Sequence, residues 1–224
     1  MTDKTRDRFD EVMDPFGAHP AIALGPWTSA NLVRDPKHLC FVLSRYKFCA
    51  KMLHGMKDVM EIGIGDGFGL PLVAQAVGHL YAVDWEPKLL EDTANRLGHL
   101  KNVSYVHLDV NEQVPTQKVD AIYMVDVIEH MEPAKERTFL EHAVGCLPSH
   151  GVMLVGTPNV AAAKYASSAS DALHINLKSM DTLRALMALY FSNVFMFGMN
   201  DEVVHTGFGG MCHYIWALAV GPRR

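Results

Sequence analysis

From residue 58 onward the apolar positions change period repeatedly, and each change marks an element. Short runs rich in β-branched and aromatic residues, "DVMEIGI", "HLYAVDW", "VSYVHLD", "VDAIYMVD" and "GVMLVGT", read as strands. Between them, a stretch ending at Val77, then "PKLLEDTANRL" and "PAKERTFLEHAVGCL", carry apolar residues at helical spacing. A polar loop, "NVAAAKYASSASDA", precedes a helix near Ser179–Tyr190, and "NVFMFGM" and "MCHYIWALAV" read as two closing strands. Strands that alternate with helices need crossover connections, so the pattern predicts an α/β fold: a mostly parallel sheet with helices on both faces.

Before residue 58 the pattern differs. Residues 1–34 mix charge with Pro15, Pro20, Gly25 and Pro26, and read as a loosely structured arm with "GPWTSAN" near its end. Asp35-Pro36 then has the form of an N-cap followed by a first helical residue. Leu39, Val42, Leu43, Tyr46, Ala50 and Leu53 recur at helical spacing, and Gly55 stands where a C-cap belongs. A chain of 224 residues suits one core, so the expected organisation is a single domain. Its N-terminal arm and helix occupy 1–56 and its α/β body occupies 57–224.

Composition narrows the classes of partner. Hydrophobic residues make up 49% and charged residues 20% of the chain, the net charge is −5, and lysine and arginine form no stripe. Nothing in this balance points to a nucleic-acid partner. The start, "MTDKTRDRFDEVMDP", lacks the apolar segment of a secretory signal, and no apolar run reaches membrane-spanning length. The expectation is a cytoplasmic protein with no membrane partner. Cys40, Cys49, Cys146 and Cys212 are far apart, without Cys-x-x-Cys spacing, and read as buried free thiols.

The densest chemistry lies in "VMEIGIGDGFG", Val59 to Gly69, where a strand runs into a helix. Bare backbone at such a junction exposes N–H groups and lets a ligand approach closely. A dinucleotide fingerprint starting at Gly63 would need glycine at 68, where Phe68 stands. Instead Glu61, Gly63, Gly65 and Gly67 spell E-x-G-x-G-x-G, which resembles the first motif of class I S-adenosylmethionine-dependent methyltransferases. Asp84 ends the second strand and Asp109 the third, in "HLDV".

The resemblance implies a Rossmann-like, mostly parallel seven-stranded sheet with an antiparallel C-terminal strand. It implies S-adenosylmethionine as cofactor, Asp84 on the ribose hydroxyls, and Asp109 on the adenine amino group. Val110 N–H would meet a ring nitrogen, Glu61 would lie under the amino-acid end, and Trp85 would pack on ribose or adenine. By the same resemblance Val125, closing the fourth strand, would border that ligand.

Methyl transfer is an in-line displacement in which the protein must position the nucleophile and weaken its proton. After the fourth strand the chain reads "MVDVIEHMEP". If that segment is helical, Asp126, Glu129 and His130 share one face, a set suited to a divalent cation or a general base. The pattern resembles the acid-x-x-Glu-His motif of small-RNA-end and ubiquinone-pathway O-methyltransferases. By that resemblance a histidine after "GTPN", here His174, completes a metal site with Asp126, Glu129 and His130. Asp126 is shorter than the family's glutamate. Without a metal, His130 serves as base.

Trp27 and Thr28 in the arm are candidates for a lid over cofactor and substrate. Asn159, together with Asp201 and His205 in the glycine-rich loop "NDEVVHTGFGG", is a candidate for the substrate wall. The leading expectation is O-methylation of a small molecule such as a sugar, a sugar nucleotide or a catechol. N-methylation of an amine is the alternative within the class. A nicotinamide-dependent Rossmann oxidoreductase and a non-catalytic cofactor-binding subunit are the alternatives outside it. The C-terminal strands offer an edge at which a homodimer could form.

Overall fold

The computed structural model describes residues 4, 8, 21–165 and 172–223. The expectations for the rest of residues 1–20 and for 166–171 lie outside the described residues. The elements in chain order are α1 (Pro26–Arg34), α2 (Lys37–Met52), β1 (Asp58–Ile62), α3 (Leu70–Ala74), β2 (His79–Asp84) and α4 (Pro87–Leu97). They continue with β3 (Val103–His107), β4 (Ala121–Val125), α5 (Glu136–Val144), β5 (Val152–Pro158), α6 (Met180–Tyr190), β6 (Phe191–Asn200), β7 (Val203–His205) and β8 (Tyr214–Pro222). Short tight helices stand at Ile128–His130, Val160–Tyr165 and Gly209–Met211.

The strands form one sheet in the order β3-β2-β1-β4-β5-β8-β6-β7. Strands β1 to β5 pair in parallel, and β8 runs antiparallel between β5 and β6. The expected seven strands become eight because Val203–His205, inside the loop read as irregular, pairs back on Gly198–Asn200.

Alternation along each strand sends side chains to two cores. Val59, Ala121, Tyr123, Leu154 and Trp216 pack under α2, α3 and α4, against Cys49, Leu53, Val73 and Leu90. Met60, Ile122, Met124, Val155 and Ile215 pack under α5 and α6, against Phe139, Leu140, Leu183 and Met187. A sheet covered on both faces explains why its strands read as near-continuous apolar runs.

Several local signals account for the helix ends. Pro87 opens α4 behind Glu86, whose side chain accepts from Lys88 N–H. Ser179 and Thr182 form a reciprocal capping box at the start of α6. The arm is more ordered than expected: "PWTSAN" is the start of α1, with Pro26 at its first position. The helix expected to reach Val77 stops at Ala74.

Cys49, Cys146 and Cys212 are buried free thiols, whereas Cys40 is exposed, contrary to the expectation for it. Among the described residues no helix is long and apolar enough to cross a membrane. The carboxyl ends of β1, β2, β3, β4 and β5 share one edge of the sheet. Parallel α/β sheets gather ligands at that edge.

Candidate active site

Beyond Ile62 the backbone turns through Gly63 at φ 80° and Gly65 at φ 56°, a region that side chains resist. A Cβ on Gly63 would stand 2.5 Å from Val127 Cγ2, and one on Gly65 3.3 Å from Trp27 Cζ3. Gly67 is left-handed as well, at φ 74°. The turn is held by Asp84, whose Oδ2 accepts from Gly65 N–H at 3.3 Å while its Oδ1 accepts from Glu86 N–H at 2.9 Å. Burial raises the Asp84 carboxyl above its ordinary value, and these backbone donors pull it back.

Helix α1 lies across the turn and is fastened by Asp66. Thr28 donates its N–H to Asp66 Oδ2 at 2.7 Å and its hydroxyl to Asp66 Oδ1 at 3.0 Å. Thr28 is therefore buried in a latch, and its neighbour Trp27 is exposed above Gly65.

One cavity of about 720 Å³ opens here. Gly63, Gly65, Asp84, Trp85, Asp109, Val110 and Val125 line it, together with Trp27, Thr28, Asp126 and His130. Asp109 Oδ1 accepts from Asn111 N–H and from its side-chain amide, both at 2.9 Å. His142 Nδ1 donates to Val110 O at 2.7 Å and fixes that peptide.

Glu61 is not part of the lining. It is fully buried behind the cavity, where Tyr123 Oη donates to its Oε2 at 2.5 Å and Oε1 has no hydrogen-bond partner among the described residues. Burial pushes its carboxyl up to about 8, Tyr123 and Tyr46 hold it down, and Asp84 adds to the rise.

The segment after β4 is not the expected helical face. Asp126 takes φ 56°, only Ile128–His130 forms a single tight turn, and the two carboxylates part. Asp126 Oδ2 accepts from Arg45 Nη1 at 2.5 Å, and Arg45 lies 4.1 Å above the centre of the Tyr214 ring. Glu129 is fully buried, and its Oε2 accepts from the Thr157 hydroxyl at 2.9 Å. Burial and the charge of Asp126 push its carboxyl up to about 8, against the pull of Thr157 and Arg45.

His130 is exposed, and its Nδ1 pairs with Leu173 O at 3.1 Å. A carbonyl only accepts, so Nδ1 carries the proton and Nε2 is the basic nitrogen. The His174 ring centre is 5.0 Å away. One ligand atom each from Glu129, His130 and His174 lie within 4.8 Å of one another, and Asp126 stands outside that group.

Two buried carboxyls held near 8 give a signed expectation. An unfolded chain ionises them near their ordinary value of about 4.3, so over the interval between, the folded chain holds protons that the unfolded chain has lost. Stability contributed below that interval is lost as pH rises from about 4.5 towards 8. Thermal melts of the ligand-free protein should show Tm falling across this window, less steeply in Glu61→Gln. A Tm rising to pH 8 with the same slope in the variant would contradict the assignment.

The three substrate-wall candidates other than Trp27 and Thr28 do not reach the cavity. Asn159 is buried and donates to Gly209 O at 2.8 Å and Cys212 O at 2.9 Å while accepting from Ala161 N–H. Its amide is used up in holding the loop before β8. Asp201 sits exposed at the β6–β7 hairpin turn with φ 48°. Both ring nitrogens of His205 are engaged inside the hairpin, with Asn200 Oδ1 at 2.8 Å and Gly207 N–H at 3.0 Å.

Residues the sequence reading passed over include Asp66, Arg45 and Thr157, and Tyr46 reads there only as a packing residue of α2. Asp66 stood in view inside the glycine motif. Arg45 was visible as a lone charge on the apolar stripe of α2, between Val42 and Cys49.

Comparison with known proteins agrees with this fold. The methyltransferase-domain family matches residues 59–151. A probable S-adenosylmethionine-dependent methyltransferase of Mycobacterium tuberculosis (strain CDC 1551 / Oshkosh) is 28% identical over 104 residues, 46% of this chain and 36% of the relative. The chain thus spans little more than a third of that relative's length. Among solved structures, the N-methyltransferase NodS of Bradyrhizobium japonicum WM9 in complex with S-adenosylhomocysteine superposes with a TM-score of 0.61 at 16% identity, over 89% of this chain and 93% of that one. The methyltransferase domain of bacterial CtHen1 superposes with a TM-score of 0.66 at 18% identity, over 81% of this chain and 99% of that one. Both show a shared fold. Residues 59–151 thus match a methyltransferase domain, and the chain shares the Rossmann-like fold of these solved methyltransferases.

Proposed function

We propose that the protein transfers a methyl group from S-adenosylmethionine to a hydroxyl of a small molecule, with phosphate-free sugars and catechols as the acceptor classes. The cofactor, when bound, supplies a methyl group on positively charged sulfur. The observation that carries the reading is a single cavity into which a bare glycine turn, Asp84 and Asp109 all open. Bare backbone at Gly63 and Gly65 suits a closely packed ligand. Val110 N–H, on a peptide braced by His142, suits a ring nitrogen.

For the acceptor, His130 presents Nε2 as a base at the same cavity, and Trp27 lies over the turn to exclude water. Glu129, His130 and His174 also form a nitrogen and oxygen set fit for a divalent cation, which would grip a vicinal diol. A buried, protonated Glu129 would then have to release its proton to the solvent on metal binding.

N-methylation is the second reading, favoured by the charge of the lining. Asp66, Asp84, Glu86, Asp109 and Asp126 face the cavity, and no lysine or arginine does so among the described residues. Such a wall suits amines and disfavours phosphates, nucleic acid included. Calorimetric titration tests the first step: S-adenosylhomocysteine should bind and NAD should not, and the reverse would end the methyltransferase reading. Release of S-adenosylhomocysteine with matched hydroxyl and amine acceptors, with and without a chelator, then separates the acceptor classes and the need for a metal.

A further inference from the structure

A short strap of chain, residues 172–178, runs past the Ile128–His130 turn and is bolted to it. Asn176 is the bolt. It is buried, its backbone N–H donates to Glu129 O at 3.0 Å, and its side-chain amide donates to Glu136 Oε2 at 2.8 Å and reaches Ile128 O at 3.4 Å. Its Oδ1 in turn accepts from Lys178 Nζ at 2.7 Å. Lys178 and Glu136 close the network as an ion pair at 2.5 Å, with side chains only 12% and 15% exposed.

Every polar atom of the Asn176 side chain is thus committed, and one asparagine ties the strap both to the turn and to the start of α5. Upstream, the strap presents the Leu173 carbonyl to His130 Nδ1. Downstream, Lys178 O accepts from Val160 N–H at 2.9 Å, joining it to the end of β5. The strap is fixed at one end, and the carbonyl it carries decides which ring nitrogen of His130 holds the proton.

We infer that Asn176, braced by the Glu136–Lys178 pair, is a positioning residue that sets the tautomer of His130 through the Leu173 carbonyl. The inference rests on the proposed role of His130 as base and deepens it. A neutral imidazole keeps its proton on the nitrogen that has an acceptor, and the opposite nitrogen becomes the base. With the strap in place Nδ1 has that acceptor and Nε2 is the basic atom. With the strap released, Nδ1 loses it, and the proton is free to move to Nε2, where it would abolish the lone pair needed for proton abstraction. None of Asn176, Glu136 and Lys178 lines the cavity, so none of them would itself touch a bound acceptor there.

The test uses the full chain saturated with S-adenosylhomocysteine, with long-range proton–nitrogen correlation spectra of the histidine rings recorded at about pH 8, where imidazole is neutral. The His130 resonances are identified by their loss in His130→Gln. Wild type should show Nδ1 protonated and Nε2 bare. Glu136→Gln, which keeps an oxygen for the Asn176 amide, should retain that pattern. Asn176→Ala and Glu136→Ala should each shift His130 towards the Nε2–H form while binding S-adenosylhomocysteine within about threefold of wild type.

A wild-type ring protonated on Nε2, or the Nδ1–H form preserved in both alanine variants, overturns the inference. Loss of S-adenosylhomocysteine binding in both alanine variants overturns it as well, since the network would then brace the whole fold and not the ring. The base role fails separately: a correctly set tautomer with normal turnover in His130→Gln would leave the positioning intact and remove its catalytic purpose.

Discussion

Asp84→Ala is expected to weaken S-adenosylhomocysteine binding by at least about a hundredfold, because two losses fall on one ligand. A hydrogen bond to a charged acceptor is worth about 1.5–3 kcal/mol, and a ribose diol would lose two of them. The same carboxylate also accepts from Gly65 and Glu86 N–H, so the alanine leaves the glycine turn without its tie to β2. Stability should move far less than affinity, since the raised Asp84 carboxyl is already under strain from burial and its removal relieves that cost. Asp84→Asn, which keeps one acceptor oxygen and the shape, should fall between. Calorimetric titration measures all three, and an alanine variant binding within about threefold of wild type would show that the ribose lies elsewhere.

The sheet order and the acids at its carboxyl edge were readable because each is announced locally. An apolar run of strand length ends, and the next residue is Asp84 or a glycine turn. What escaped reading depends on contacts between distant segments. Asp126 looked like the first member of a helical face. Its carboxylate is tied instead to Arg45, 81 residues earlier, and its left-handed backbone donates its N–H to the Gly156 carbonyl. Neither partner can be inferred from the spacing of Asp126, Glu129 and His130.

Asn159 is a similar case. "TPN" has the look of a site motif, but the amide is spent on backbone carbonyls at Gly209 and Cys212, 50 and 53 residues ahead. Strand β7 was missed for a plainer reason, since three residues carry too little alternation to register as a strand. The opposite error befell α1. Its Gly25-Pro26 start was read as a break, although proline at the first helical position is a start signal.

His130→Ala and His174→Ala are expected to separate binding from turnover, and their comparison decides how the proton leaves the acceptor. Neither ring is among Asp84, Trp85, Asp109 and Val110, the cavity-lining residues proposed to hold adenosine. Both variants should therefore bind S-adenosylhomocysteine like wild type. A positioned general base contributes roughly 10²–10⁴-fold to rate, so His130→Ala should lose about that much of kcat with an acceptor that wild type methylates.

His174→Ala carries the discrimination. If His130 acts as a simple base, its neighbour 5.0 Å away tunes the ring, and the loss at His174 should be about tenfold or less and indifferent to chelators. If Glu129, His130 and His174 hold a cation, removing either histidine breaks the same ligand set. Both losses should then be comparable, and wild type should stop on chelation and recover with a divalent metal. Equal, full turnover in both variants would place the acceptor chemistry outside this turn altogether, and with it the purpose of burying Glu129 against Thr157.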